Sequence, residues 1–251
     1  MTELQSAITE VLETYVQHLN GRKQTVLDRF ETFLEMLRQR GRDNNLTGFR
    51  DSQELATQVV GDALAPLATT PYDLGDSGPD ELLDVGSGPG IPGIVYAIYW
   101  PQCDVTLLES NKKRIEFLHE TIEALDLENV QILEGRAEAH AHALQWRERF
   151  DMVTSRALAP LPIALELCLP YLALEGWMLT YKGASPMEEV KDAEFALSKL
   201  GAGKAIVKPY QAGPGANKSH AVWIPKVGLT PDRYPRREGI PAKRPLRGSR
   251  S

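Results

Sequence analysis

Residues 81–97, ELLDVGSGPGIPGIVYA, set an acid at Asp84 and glycines at Gly86, Gly88, Gly90 and Gly93 directly behind a short apolar run. Glycine lets a backbone adopt positive φ and approach a bound molecule closely. Such a loop could hold a dinucleotide, an adenosyl cofactor or nothing. Gly88, Gly90 and Gly93 fit G-x-G-x-x-G, the dinucleotide spacing. Asp84-x-Gly86-x-Gly88-x-Gly90 fits the acidic glycine loop with which Rossmann-like methyltransferases hold S-adenosylmethionine. The second template fits better. A dinucleotide loop opens on a glycine straight after the strand, here Gly86, and counting from it the third position falls on Ile91. Pro89 and Pro92 also lack N–H groups that a pyrophosphate would use. Pro92 suits the first position of a following helix. A turn of so many glycines without a ligand would lose conformational entropy for no return.

Three further strand ends carry chemistry. DVTLLESNKKR ends its strand at Glu109, 23 residues after Gly86, near the ~20 expected for a carboxylate that accepts both ribose hydroxyls. Ser110 and Asn111 would then border the adenosine. The plain alternative is that Glu109 caps the next helix. In LEGRAEAH, the Ala137 N–H could meet a ring nitrogen of adenine and the Glu138 carboxylate its exocyclic amine, or Glu138 could simply start a helix. FDMVTSRALAP ends in Ser155-Arg156-Ala157, the position from which methyltransferases present a catalytic group. The Arg156 fork can grip a carboxylate or a phosphate, the alternative being a surface arginine in a loop. Lys182, in YKG, is the other basic candidate.

These residues need elements to hold them. Apolar strand candidates fall at 81–85, 104–109, 130–133, 150–155 and 176–181, with helical stretches near 91–99, 111–126, 138–148, 160–171 and 186–200. This alternation implies right-handed βαβ units: an α/β fold with a mostly parallel, Rossmann-like class I methyltransferase sheet. AIVKPY and SHAVWIPKV follow with no helix between them and predict a terminal antiparallel pair. Apolar spacing predicts three helices in the first 65 or so residues, the third (DSQELATQVVGDALAPL) capped by Asp51 or Ser52. The division expected is a helical cap over 1–75, a cofactor-binding domain over 76–229 and a flexible basic tail over 230–251.

The formal net charge is −6. Seven basic residues from Arg233 to Arg250 against Asp232 and Glu238 make the tail +5, leaving −11 on the remainder. A basic tail, with Arg38, Arg40 and Arg42, can attract phosphate locally. Two cysteines, Cys103 and Cys168, are too few for a disulfide framework or a cysteine-based metal site, and no metal is expected. No apolar run reaches the ~20 residues a bilayer requires, and the acidic N-terminus lacks a secretory signal. The expectation is a cytoplasmic protein with no membrane partner, acting as a monomer.

Some absences narrow the chemistry. Asp/Asn-Pro-Pro-aromatic, common after the fourth strand of enzymes that methylate exocyclic amines, is replaced here by SRAL, and neither cysteine is placed to attack cytosine. A ring nitrogen such as guanine N7 needs no deprotonation, and no general base is evident among the scattered histidines. NNLTGFRD, LLDVGSGPGIPGI, LLESNKKRIEFL, SRALAPL and YKG together resemble the bacterial 16S rRNA (guanine-N7) methyltransferases, the RsmG or glucose-inhibited division protein B family. The resemblance implies S-adenosyl-L-methionine as cofactor and 16S rRNA or the small ribosomal subunit as partner. It carries cofactor contacts over to Gly86, Ile91, Glu109, Ser110, Asn111, Ala137, Glu138 and Arg156, and places Asn45, Leu46 and Thr47 near the site. Where the family often shows His-x-x-Asp-Ser, this chain has Val59, Asp62 and Ala63. With the loop reading added, the cofactor set is completed by Asp84, Gly88 and Gly90, and the catalytic candidates are Arg156, Ser155 and Lys182. A nicotinamide-dependent oxidoreductase is the alternative, and a non-catalytic adenosyl-binding RNA module a third reading.

Overall fold

The computed structural model describes residues 2–16, 19, 21–44, 51–183, 185–213 and 216–248. The chain opens on α1 (Glu3–Tyr15) and α2 (Lys23–Asn44). Thr2 starts α1 with a capping box, accepting from Gln5 N while its own N–H donates to the Gln5 side chain. The third predicted helix begins on Asp51, whose Oδ1 accepts from Gln53 N at 2.8 Å and Glu54 N at 3.0 Å. It does not run on as one α-helix. α3 (Ser52–Ala56) passes into a π turn (Thr57–Gly61), then α4 (Asp62–Leu64), then a 3-10 turn (Ala65–Thr69). The Asp62 N–H closes the wide turn on Thr57 O. Gly61 is pressed so close to another segment that a Cβ there would lie 2.1 Å from Ala212 O. Pro66 has no N–H to continue the α pattern. The segment Asn45–Thr47 lies outside the described residues.

Seven strands form one sheet: β1 (Glu81–Val85), β2 (Asp104–Glu109), β3 (Val130–Glu134), β4 (Phe150–Arg156), β5 (Leu172–Lys182), β6 (Ile206–Gln211) and β7 (Lys218–Pro225). Their order is β3-β2-β1-β4-β5-β7-β6. β1 to β5 are parallel, and β7 lies antiparallel between β5 and β6, so the sheet class and the terminal antiparallel pair are as the sequence predicts. Strand order reverses between β1 and β4, which makes their carboxyl ends the ligand position of an open α/β sheet. Successive residues face opposite layers. Leu82 and Leu107 join a core with α1, α2, α5 (Gly93–Tyr99) and α6 (Lys112–Leu125), while Leu83 and Leu108 join a second core on the other face. The N-terminal helices thus share a core with α5 and α6 and do not close one of their own.

The second core is covered by α7 (Ala137–His140), α8 (Leu161–Cys168) and α9 (Pro186–Lys199). The helix expected over 138–148 is only the four-residue α7 followed by turns. The tail accounts for this. Arg147 donates to Thr230 O at 2.6 Å and Tyr234 O at 3.0 Å, and His142 Nε2 lies 2.9 Å from Pro235 O, so these side chains hold another segment.

Between Thr230 and Gly248 the tail is packed against the second core. Tyr234 and Leu246 are buried, and a short α10 (Ile240–Lys243) follows. The cause is Glu166, fully buried in the otherwise apolar α8, which needs a cation. Arg236 supplies it with paired bonds at 2.8 and 2.6 Å plus its backbone N–H at 2.9 Å. Two of the arginines expected to attract phosphate are likewise engaged: Arg40 pairs with Glu120 across the ring of Phe117, and Arg38 with Glu35 at 3.6 Å.

One buried cation anchors the start of this tail. Lys226 Nζ donates to Leu169 O at 2.6 Å and Thr230 Oγ1 at 2.5 Å, and Glu148 lies at 3.6 Å. Burial pushes the Lys226 ammonium down to about 8. Lys226→Ala leaves a cavity and takes a donor from both the Leu169 carbonyl and Thr230 Oγ1, so a loss of about 3 kcal/mol is expected in urea unfolding. A variant as stable as the parent would remove Lys226 from this role.

Candidate active site

The site begins where β1 ends. Gly86 N and Ser87 N both donate to Leu108 O, at 2.8 and 3.1 Å, which folds the glycine loop over the end of β2. Gly88 has φ 59° and Gly90 φ 93°. A Cβ on Gly90 would lie 2.5 Å from Ile94 Cγ1, so this glycine lets α5 pack under the loop. A Cβ on Gly88 would meet nothing nearer than 3.9 Å, because Gly88 faces a crevice of about 300 Å³. Gly86, Gly88, Ile91, Arg114 and Arg156 line that crevice, with Gln58 from the π turn on its far side.

Two carboxylates support the loop. Asp84 is fully buried, and its Oδ2 accepts from Gly93 N at 3.0 Å. Its Oδ1 has no hydrogen-bond partner among the described residues. Burial, with help from the nearby Glu109 charge, pushes the Asp84 carboxyl up to about 7, against the opposing pull of the Gly93 N–H and Arg156. Glu109 is better satisfied. Its Oε2 accepts from Gly88 N at 2.9 Å, and its Oε1 from Ser110 N at 2.7 Å and Asn111 N at 2.8 Å. Arg114 stands 3.5 Å from Oε2. The cap of α6 is Asn111, whose Oδ1 accepts from Lys113 N at 3.0 Å. Glu109 instead ties the glycine loop to the end of β2 and keeps a lone pair on Oε2.

Arg156 stands between two crevices. Its guanidinium lies 3.1 Å from Asp62 Oδ2 and donates to Gln58 O at 3.3 Å. Beyond it opens a second crevice of about 590 Å³, lined by Asp62, Tyr181, Lys182 and Tyr210 among others, and sharing Gln58, Arg156 and Ala157 with the first. Tyr210 Oη donates to Asp62 Oδ1 at 2.7 Å. Tyr96 and Tyr181 share a bond of 2.6 Å, and both reach Ala63 O. Burial raises all three phenols well above their usual range. Lys182 Nζ donates to Glu189 at 2.8 Å and Ala159 O at 3.2 Å, so its ammonium is already paired inside the protein.

Ser155, singled out in the sequence as a catalytic candidate, lines neither crevice. It is fully buried and donates to Thr180 Oγ1 at 3.2 Å, because alternation along β4 turns it into the core while Arg156 emerges. Both cysteines are buried, and that burial pushes their thiols up to about 12, which leaves them unreactive. Ala137 and Glu138 open α7 a few residues beyond Glu134, the β3 partner of Glu109, and are not on the wall of the first crevice. Gln58, Asp62, Arg114, Tyr181 and Tyr210 are among the crevice residues that sequence reasoning did not assign to the site. Asp62 carried a signal, as an acid in the segment where the resemblance departs; Gln58 carried none.

The GidB family, described as rRNA small subunit methyltransferase G, matches residues 26–217. The chain belongs to that family. Ribosomal RNA small subunit methyltransferase G of Lachnoclostridium phytofermentans is 38% identical over 221 residues, covering 88% of this chain and 89% of that protein. The protein of the same name from Thermotoga petrophila is 38% identical over 220 residues, covering 88% and 91%. Among solved structures, a putative O-methyltransferase from Klebsiella pneumoniae has the same fold at 17% identity and a TM-score of 0.52, covering 88% of this chain and 96% of that one. The oxidoreductase alternative falls with these matches. The crevice opens where strand order reverses between β1 and β4, the position at which open α/β sheets take ligands. No described helix is long and apolar enough to cross a membrane.

The buried Asp84 sets a pH dependence. Its folded pKa lies above the 3.8 of an exposed aspartate, so the unfolded chain releases this proton first as pH rises. The stability it contributes is full below about 4 and is lost as pH climbs through about 7. In Asp84→Asn, urea midpoints of the ligand-free protein should show a shallower decline across that window. An unchanged slope would assign the effect to other groups.

Proposed function

We propose that this protein transfers a methyl group from S-adenosylmethionine to N7 of a guanine in 16S rRNA. The family supports the rRNA methyl transfer. The observation that carries the cofactor is the pairing of an open crevice over Gly88 with the orphaned, fully buried Asp84 Oδ1 beneath the loop. A buried acceptor with no partner among the described residues, lying just beneath the loop that lines the crevice, suits a cationic amino acid head. The remaining lone pair on Glu109 Oε2 suits a ribose hydroxyl, and the Ala137 N–H, first in its helix and so without an intrahelical acceptor, suits a ring nitrogen. When bound, the cofactor supplies an electrophilic methyl group on a sulfonium.

The protein's own work is then positional. Guanine N7 already carries its lone pair, so no side chain need remove a proton. The second crevice would take the base, with Arg156 at the junction to hold O6 or a backbone phosphate. Methylation leaves the base cationic. Asp62 balances the Arg156 charge, and the Tyr181 and Tyr210 rings add an aromatic wall, so the growing charge meets neither a bare cation nor open water. Lys182, tied to Glu189, shapes the floor of this crevice.

Labelled methyl transfer should mark N7 of one guanine in 16S rRNA, tested as naked rRNA, as assembled small subunits and with tRNA as control. Absence of label on both rRNA forms would overturn the proposal. Glu109→Ala would strip acceptors from three N–H groups, so Glu109→Gln is the cleaner probe. With its carbonyl oxygen kept for Ser110 N and Asn111 N, it loses only the acceptor for Gly88 N, so it should weaken S-adenosylmethionine binding by roughly tenfold in calorimetry and lower the melting temperature less than Glu109→Ala does. Unchanged affinity would remove Glu109 from the cofactor site.

A further inference from the structure

The adenine assignment of Glu138 leads to a part of the chain remote in sequence. Glu138 Oε1 accepts from Gly239 N at 3.0 Å. Gly239 has φ 74°, and a Cβ there would meet nothing within 4 Å, so the left-handed backbone alone restricts this position. The surrounding tail is tied down on both sides. Arg236 is locked to the buried Glu166, and Arg147 reaches the carbonyls of Thr230 and Tyr234. His142 Nε2 adds a contact to Pro235 O at 2.9 Å, and Arg136 Nε lies 3.5 Å from Glu238. Thr230, at the start of this stretch, is held by Glu148, Leu169 O and Leu200 O, whereas Arg136, Glu138, His142 and Arg147 all belong to the turn that opens with Ala137 and Glu138. Beyond the four-residue α7 that turn is held by short-range bonds such as Ala143 N to His140 O and Arg147 N to Ala143 O, and the strap adds longer-range contacts to it.

We infer that the C-terminal strap over residues 230–244 is part of the cofactor site, and that the Gly239 N–H is a positioning group for adenine recognition. This rests on the proposed assignment of Glu138 to the exocyclic amine. A carboxylate with one oxygen held by a fixed N–H presents its other oxygen in one direction. An exocyclic amine donates to that oxygen; a 6-oxo purine, with a carbonyl there, is repelled by it.

The test uses full-length protein and two ligands, S-adenosylhomocysteine and S-inosylhomocysteine, with dissociation constants from calorimetry. The parent should prefer the adenosyl form by roughly tenfold or more. Gly239→Val, β-branched where φ is positive, should bring that ratio toward one, Gly239→Ala should lie between, and Gly239→Asn, which tolerates this backbone region, should keep the parent ratio. Melting temperatures accompany each variant, and if the valine variant fails to fold, the alanine variant carries the comparison. A purely structural strap would lower melting temperature without moving the ratio, and that result overturns the inference. If Glu138→Ala abolishes the preference while Gly239→Val and Gly239→Ala retain it, the strap is dismissed and the adenine reading stands. If Glu138→Ala also keeps the preference, the adenine reading fails and takes the strap with it.

Discussion

The crevice depends on one ion pair. Asp62, just after the π turn, and Arg156, at the end of β4, meet at 3.1 Å, largely out of solvent. Removing either charge strands the other in a poorly solvated place, which costs far more than a surface pair is worth. The pair is also buttressed. Tyr210 holds one Asp62 oxygen, Gln58 O holds Arg156, and the Tyr96–Tyr181 pair holds Ala63 O. The N-terminal segment is thereby fixed against the switch point of the sheet by polar bonds set in an apolar core. Directional contacts of this kind specify one arrangement where hydrophobic packing would tolerate several.

The crevice over Gly88, proposed to take the cofactor, follows the same logic on a smaller scale. Glu109 spends three of its acceptor positions on N–H groups of the loop and of its own turn. The wall that a ribose would meet is therefore built before anything binds. Asp84, beneath the loop, is the exception, a buried acid with one oxygen unmatched among the described residues. A site with one unmet polar group in an otherwise satisfied wall concentrates its selectivity there.

Much of this was legible in the residues. Parallel strands covered on both faces read as continuous apolar runs, so β1, β2 and β4 fall within a residue of where the sequence puts them. The glycine spacing located the loop. What stayed hidden depended on partners distant in sequence. The 138–148 stretch has helical spacing, yet Arg147 and His142 are taken by the tail. Ser155 and Arg156 are adjacent, and only the pairing of β4 with β1 and β5 shows which one faces the core. The tail looked like a solvated basic terminus because its anchor, Glu166, lies some seventy residues earlier. A lone acid within LPIALELCLP was the available hint, since a charge in so apolar a helix calls for a counter-ion.

The π turn at Thr57–Gly61 puts an unusual limit on how the chain can vary. It carries one residue more than an α turn would. Deleting a single residue there would restore regular winding, but it would rotate everything on one side by about 100°. Gln58 and Asp62 could then no longer both face Arg156. Side chains on the outer face of this stretch are free to differ among relatives, whereas its length is not, and gaps should be rarer here than in the surrounding loops.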